Sequence, residues 1–154
     1  MLDYLKIFFM SMLPLVELRG AALYSQYLEL PLIPSYLVCI IGNLVPVPLI
    51  YYFARRVLNW GSDKPGLGRF CKFLHDKGES AGRKLTERTS RGGTFVALML
   101  FVGIPLPGTG AWTGTLAASI LDLGPKHTFG AVTLGLFMAG AIMLTAGYLG
   151  FNLI

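Results

Sequence analysis

Met12-Leu13-Pro14-Leu15-Val16-Glu17-Leu18-Arg19-Gly20-Ala21-Ala22 sets a carboxylate and a guanidinium inside a run that is otherwise uncharged over residues 8–23. In a bilayer each such charge costs roughly 2.5–3.5 kcal/mol on insertion scales, so it faces a protein interior or a wet cavity and marks a pathway. Pro14 before the pair and Gly20 after it predict that the helix is interrupted here. Broken backbone at membrane depth is tolerated only where protein buries it or water lines it. A second stretch, Gly103-Ile104-Pro105-Leu106-Pro107-Gly108-Thr109-Gly110-Ala111-Trp112-Thr113-Gly114, repeats the theme about 90 residues later. We read the two stretches as halves of one site.

The composition supports a membrane setting. The 154 residues are 54% hydrophobic and 14% charged, with mean hydropathy +0.61. Residues 34–54, 94–121 and 128–154 carry no charge at all, and each tract meets the ~20 residues that a spanning helix needs. A soluble fold would have to bury all three in one small core. Ten of the thirteen basic residues and four of the eight acids fall within residues 55–93, leaving that segment at +6 and the rest of the chain at −1. Such a segment is held on the cytoplasmic side by the positive-inside rule, which predicts a multi-pass protein of the cell (inner, cytoplasmic) membrane. Topology thus accounts for the basic pI without nucleic-acid binding. Asp3, a single Lys6 and the Glu17–Arg19 interruption argue against a cleaved signal peptide. Cys39 and Cys71 fall in different environments, so no disulfide is expected.

In chain order, residues 2–12 form about three helical turns that end at Pro14, whose missing amide and steric demand disfavour helix at Leu13. A second short helix is expected over 15–28, and a loop over 29–34. The two half-helices are each too short to span, so they form either one kinked span or a re-entrant hairpin. Residues 35–53 read as a full span that Pro46 and Pro48 should kink, closed by Arg55-Arg56. A turn region over 59–66 precedes Leu67, Phe70, Cys71, Leu74, Ala81 and Leu85, whose helical spacing predicts an amphipathic basic helix. The tract 94–121 is broken by Pro105, Pro107, Gly108 and Gly110, again as a bent span or a re-entrant pair. Residues 128–153 form the last span, where Ala131 and Gly135, and Ala146 and Gly150, would admit a neighbouring helix.

The second half echoes the first. Pro14 and Pro105, Gly20-Ala21 and Gly110-Ala111, Leu30 and Leu121, and Pro34 and Pro125 match at offsets of 90 or 91, and Gly42 and Gly135 at 93. The order is the same each time: broken apolar segment, Pro-containing loop, full span. Read as re-entrant hairpins, the two units (1–58 and 93–154) are inverted relative to each other, joined by a cytoplasmic linker (59–92) into a single all-α membrane domain. Inverted repeats whose broken helices meet at the midplane are a recurrent carrier design.

The Pro14–Ala21 motif, the later Pro-Gly-Thr-Gly-Ala stretch and the length together resemble the small multi-drug export protein family of bacterial and archaeal membrane proteins. That family is in turn similar to the DedA/VTT superfamily, whose members carry paired re-entrant hairpins and are linked to lipid or polyprenyl-phosphate translocation. The resemblance covers nearly the whole chain and implies a carrier or translocase. This chain departs from the DedA pattern in having no charge in its second hairpin, where those proteins carry an Arg.

On the residues themselves, Glu17 and Arg19 point about 200° apart on an ideal helix, so they are expected to meet different partners. Glu17 is a candidate site for a coupling proton or cation, and Arg19 for an anionic group that suits its planar fork. Around them we place Pro14, Gly20, Pro105, Pro107, Gly108, Thr109, Gly110 and Trp112. Glu29 and Asp122 close the hairpins, either as solvated caps or as gates. The sequence has no Walker A motif and no nucleophile–base constellation, and Cys71 with His75 falls short of a zinc site, so no enzyme activity, cofactor or metal is expected. The function read here is a secondary carrier or lipid translocase for a small amphiphilic or anionic substrate, in contact with membrane lipids. The alternatives are an ion channel with a re-entrant filter, or a membrane scaffold. With only two certain spans, a homodimer or higher oligomer is expected.

Overall fold

A computed structural model describes residues 1–62, 91–106 and 108–152, and all the regular structure among them is helical. The order is α1 (Leu2–Met12), α2 (Glu17–Tyr27), α3 (Leu32–Leu44), α4 (Pro46–Ser62), α5 (Arg91–Gly103), α6 (Ala111–Ile120) and α7 (Pro125–Asn152). The first break falls where Pro14 dictates, with Leu13 extended at φ −76°, ψ 136°. Gly20 does not break the helix as expected. It lies within α2, its amide bonded to the Val16 carbonyl at 2.9 Å, because a lone glycine weakens a helix without ending it.

The kink expected from Pro46 and Pro48 is reduced to one residue. Val45 separates α3 from α4 and keeps helical dihedrals, while both prolines fall in the first turn of α4, where a helix start leaves amides unpaired in any case. α4 continues past Asn59 to Ser62, so the turn expected from 59 does not begin there. The rest of that turn and the amphipathic basic helix lie outside the described residues, as does Pro107. Two helical tracts, Leu32–Ala54 and Pro125–Gly147, have the length and apolarity to cross a membrane. Each has 23 residues, or about 34 Å at 1.5 Å per residue, against ~30 Å of hydrocarbon.

Packing fixes the directions of these elements. α5 and α7 run parallel: Thr94 Oγ1 lies 3.3 Å from His127 Nε2, and Gly103 faces Met138 at the other end. α6 therefore carries the chain back toward the end from which α5 set out. α7 is antiparallel to α3–α4, since Tyr36 donates to the Phe137 carbonyl at 2.6 Å while Val47 and Tyr51 share a cavity wall with Thr128 and Phe129. α2 ends with Gln26 against Gly147, near the carboxyl end of α7, whereas α6 ends beside its amino end.

The same local structures recur 93 residues apart. α2 closes with Glu29 N–H to Gln26 O at 2.9 Å and Leu30 N–H to Ser25 O at 3.0 Å. α6 closes with Asp122 N–H to Ser119 O at 3.3 Å and Leu123 N–H to Ala118 O at 3.1 Å. This is the Schellman pattern, which puts its capping residue in the left-handed region, here Glu29 at φ 54° and Asp122 at φ 53°. Ser35 then bonds back to the Pro31 carbonyl as Thr128 does to that of Gly124. From the second break onward the offset is thus 93, and Leu30 corresponds to Leu123 rather than to Leu121.

Gly42 and Gly135 are the matched contact points of α1 on α3 and of α5 on α7. A Cβ at Gly42 would fall 2.5 Å from the Phe8 carbonyl oxygen, and one at Gly135 2.7 Å from that of Met99. Small residues let these backbones meet, as close helix packing in lipid requires. Gly135 thus admits α5 within the chain, the neighbouring helix its spacing with the buried Ala131 predicts. The core at the centre is small and tight (Leu18, Ala21, Ala111, Ala118, Val132 and Leu136), while large apolar side chains such as Leu15, Ile33, Leu49 and Phe53 face outward. We expect Gly42→Ala and Gly135→Ala each to destabilise the protein by roughly 1–3 kcal/mol through overpacking. Gly130→Ala, whose new methyl meets only the Phe95 ring at 3.3 Å, should cost less. Thermal unfolding in detergent reads the difference.

Candidate functional site

The two breaks meet. Arg19, on the first turn of α2, reaches across to the broken segment that follows α5. Its Nη1 donates to Leu106 O at 2.7 Å, and its Nη2 donates to Ile104 O at 3.2 Å and to Thr109 Oγ1 at 2.9 Å. Pro105 has no amide, so the helical pattern stops here: Ile104 O and Leu106 O accept from the Leu106 and Thr109 amides in tight local turns, at 2.8 and 3.2 Å, and each keeps acceptor capacity for the guanidinium. A guanidinium at a helix's carboxyl end also complements its dipole. Thr109 is the hinge pin of the same segment: its hydroxyl lies within hydrogen-bonding reach of Ile104 O (2.9 Å) and Leu106 O (2.8 Å).

Glu17 serves the opposite end. Its Oε1 accepts from the Trp112 amide at 3.2 Å, in the first turn of α6, and the Ala111 amide also interacts with it. A carboxylate at a helix amino terminus satisfies orphan amides and matches the positive end of the dipole. The fit depends on Gly110, the residue preceding α6, at φ 148°: a Cβ there would overlap the Glu17 carboxylate. Glu17 itself is buried, only 7% exposed, and sits at φ 50°. A left-handed conformation costs a side-chain-bearing residue about 1–2 kcal/mol, which the two amide contacts offset.

The third member closes the arrangement in reverse. Trp112 Nε1 donates to Met12 O at 3.1 Å, the last carbonyl of α1. Trp112 stands 93 residues after Arg19, so equivalent positions on α2 and α6 each hold the carboxyl end of the other hairpin's first helix. Arg19 and Trp112 are both half-buried. Glu17 and Arg19 form no ion pair with each other among the described residues, in keeping with their opposed directions.

The remaining sequence candidates fall into two groups. Pro14 and Gly108 shape the breaks without touching the clamp. Pro14 is exposed in the first turn, and Gly108 sits at φ 80° with open space around its Cα. Glu29 and Asp122 are exposed and serve as the left-handed residues of the two Schellman caps, which is the capping role weighed above. Sequence reasoning missed the chief partners of Arg19, because Ile104 and Leu106 contribute backbone carbonyls that no residue type announces. It also missed Thr115, which is fully buried like Asn43 and, like it, has no hydrogen-bond partner among the described residues.

A bundle with two apolar helices of spanning length, outward-facing large hydrophobics and its charges clamped at broken helix ends is an integral membrane protein. Residues 17–142 match the model of the family described as "Putative small multi-drug export protein", and the chain belongs to that family. No curated protein and no solved structure matches it.

The clamp makes a specific energetic prediction. Glu17→Ala leaves the α6 amides without their acceptor, and Gly110→Ala drives a methyl into the carboxylate. Each should cost roughly 1–3 kcal/mol. In the double variant the clash is gone, so its loss should be smaller than the sum of the single losses. Thermal unfolding of the four proteins in one detergent measures the coupling, and strict additivity would contradict the contact.

Proposed function

We propose that this chain is a small membrane exporter of amphiphilic molecules, and that Arg19 receives an anionic group of its substrate at the junction of the two breaks. The observation that carries the proposal is the way Arg19 is held. Three of the five N–H groups of its guanidinium go to the second hairpin, so two remain to a side chain that is only half-buried. An anion can enter beside those donors, and as it competes for the fork it loosens the hold on Ile104 and Leu106. Substrate binding and hairpin separation are then one event. Such exchange is what a carrier needs, because a ligand shifts an equilibrium only by its differential affinity for the two states.

In this reading the hairpins α1–α2 and α5–α6 are re-entrant and inserted from opposite faces. The parallel run of α5 with α7 and the placement of the α2 and α6 ends at opposite ends of α7 support it. Units 1–58 and 93–154 form one domain around the clamp, and the basic segment 55–93 lies on the cytoplasmic face of the cell membrane. Two spans per chain favour a homodimer or larger oligomer. Glu17 supplies the coupling: a proton on its carboxyl removes the charge that complements the amino end of α6, so protonation weakens the clamp from the other side. The family description supports export of a drug-like cargo.

Purified protein in liposomes, given a fluorescent alkyl phosphate and an imposed pH gradient, tests this. Wild type should move the probe. Arg19→Ala should reduce flux at least ~10-fold, equivalent to about 1.4 kcal/mol of lost interaction. Arg19→Lys should recover only part of it, since a point charge replaces a planar fork. Glu17→Gln should transport without regard to the gradient. Unchanged flux in Arg19→Ala, or transport of ethidium in preference to the phosphate, would overturn the anionic-substrate reading.

A further inference from the structure

Beside the clamp, a half-open groove lies between α4 and the amino end of α6. It encloses about 740 Å³, within the roughly 300–1,000 Å³ of ligand pockets. Leu49, Ile50, Tyr52 and Phe53 line it from α4 and Trp112 from α6, and among the described residues Arg56 is its one charged member. Leu49, Tyr52 and Phe53 are each more than 60% exposed, so the lining is accessible apolar surface rather than core. A second cavity of about 460 Å³ shares Pro48 and Tyr52 with the first and extends it toward Phe129. Together they make a greasy trough along α4 whose walls include two cations, Arg56 in the first cavity and Lys126 at the far end of the second.

We propose that this groove is a binding site for a membrane amphiphile with an anionic headgroup, its acyl chain along Leu49, Tyr52 and Phe53 and its headgroup against Arg56. The apolar walls match hydrocarbon and offer few competing polar groups. Charge selects the headgroup: the guanidinium pairs with phosphate or carboxylate bidentately, and a cationic amphiphile would meet it unfavourably. The Trp112 indole N–H is already committed to Met12 O, so the ring presents only its apolar surface to the occupant. The same residue thereby joins groove to clamp: a chain in the groove abuts the side chain whose amide holds Glu17. As the route by which substrate reaches Arg19, the groove rests on the function proposed above. As a lipid site it does not.

The chain has two tryptophans, Trp60 and Trp112, so Trp60→Phe leaves Trp112 as the only indole reporter. Trp60→Phe protein is reconstituted into bilayers containing equal small fractions of brominated phosphatidylglycerol or brominated phosphatidylcholine, and quenching of Trp112 is measured. We expect the anionic lipid to quench at least ~2-fold more strongly than the zwitterionic one. Arg56→Gln should remove the preference while leaving quenching by phosphatidylcholine intact. Leu49→Phe, which narrows the groove without altering its charge, should reduce quenching by both lipids. Arg19→Ala should preserve the preference, so loss of transport in that variant leaves the groove standing and the two readings fail separately. Equal quenching by both lipids, a preference that survives Arg56→Gln, or indifference to Leu49→Phe would each overturn the proposal.

Discussion

A helix broken inside an apolar bundle leaves carbonyls at one end and amides at the other in need of partners. Everything specific about this fold answers that constraint. Arg19 takes the carbonyls that follow α5, Glu17 takes the amides that open α6, and Trp112 takes the last carbonyl of α1. Each hairpin is completed by a side chain of the other, so neither break is satisfied in isolation. Arginine suits the carboxyl end because a single planar fork reaches two carbonyls and a hydroxyl at once, which a lysine cannot do with the same geometry. Two charges that would be costly in lipid become the closure of two helix ends.

The surrounding structure is subordinate to that junction. Gly110 is small so that the carboxylate can approach, and Gly42 and Gly135 are small so that α1 and α5 can lie close on α3 and α7. The Schellman caps at Glu29 and Asp122 turn each hairpin sharply into its following helix, fixing how far α2 and α6 extend. Strain is tolerated where it serves the contact: Glu17 occupies a left-handed conformation that glycine would adopt more easily, yet only a carboxylate reaches the α6 amides. A junction made of hydrogen bonds to backbone, with guanidinium donors to spare, is one that a competing anion can open. The chemistry of closure and the proposed chemistry of transport are the same.

Much of this was legible in the sequence because proline and charge act locally. Pro14 and Pro105 mark both breaks, and an uncharged tract of sufficient length announces each span. Glu17 and Arg19 stand out because nothing in an apolar run explains them. Partner identity was not legible, since the acceptors of Arg19 are main-chain oxygens. Gly20 misleads because a glycine beside a charged pair looks like a break, whereas the preceding proline has already supplied one. The repeat offset shifts from 91 to 93 across the second break, a two-residue insertion that the match of Gly42 with Gly135 already carries and that the paired caps locate. Glu29 and Asp122 invite a gating interpretation because acids near hairpin ends are conspicuous. Their φ values show that they also occupy positions that glycine usually fills, which the sequence does not announce.

The central claim is that two hairpins enter from opposite faces and are clasped where they meet, and their turns should therefore be accessible from opposite sides. The most direct measurement is side-specific labelling of Glu29→Cys and Asp122→Cys, each in a chain with Cys39→Ala and Cys71→Ser, using a membrane-impermeant maleimide on oriented vesicles. The account predicts that Asp122→Cys labels from the face that carries the basic segment and Glu29→Cys only from the other. Labelling of both positions from one face would contradict it.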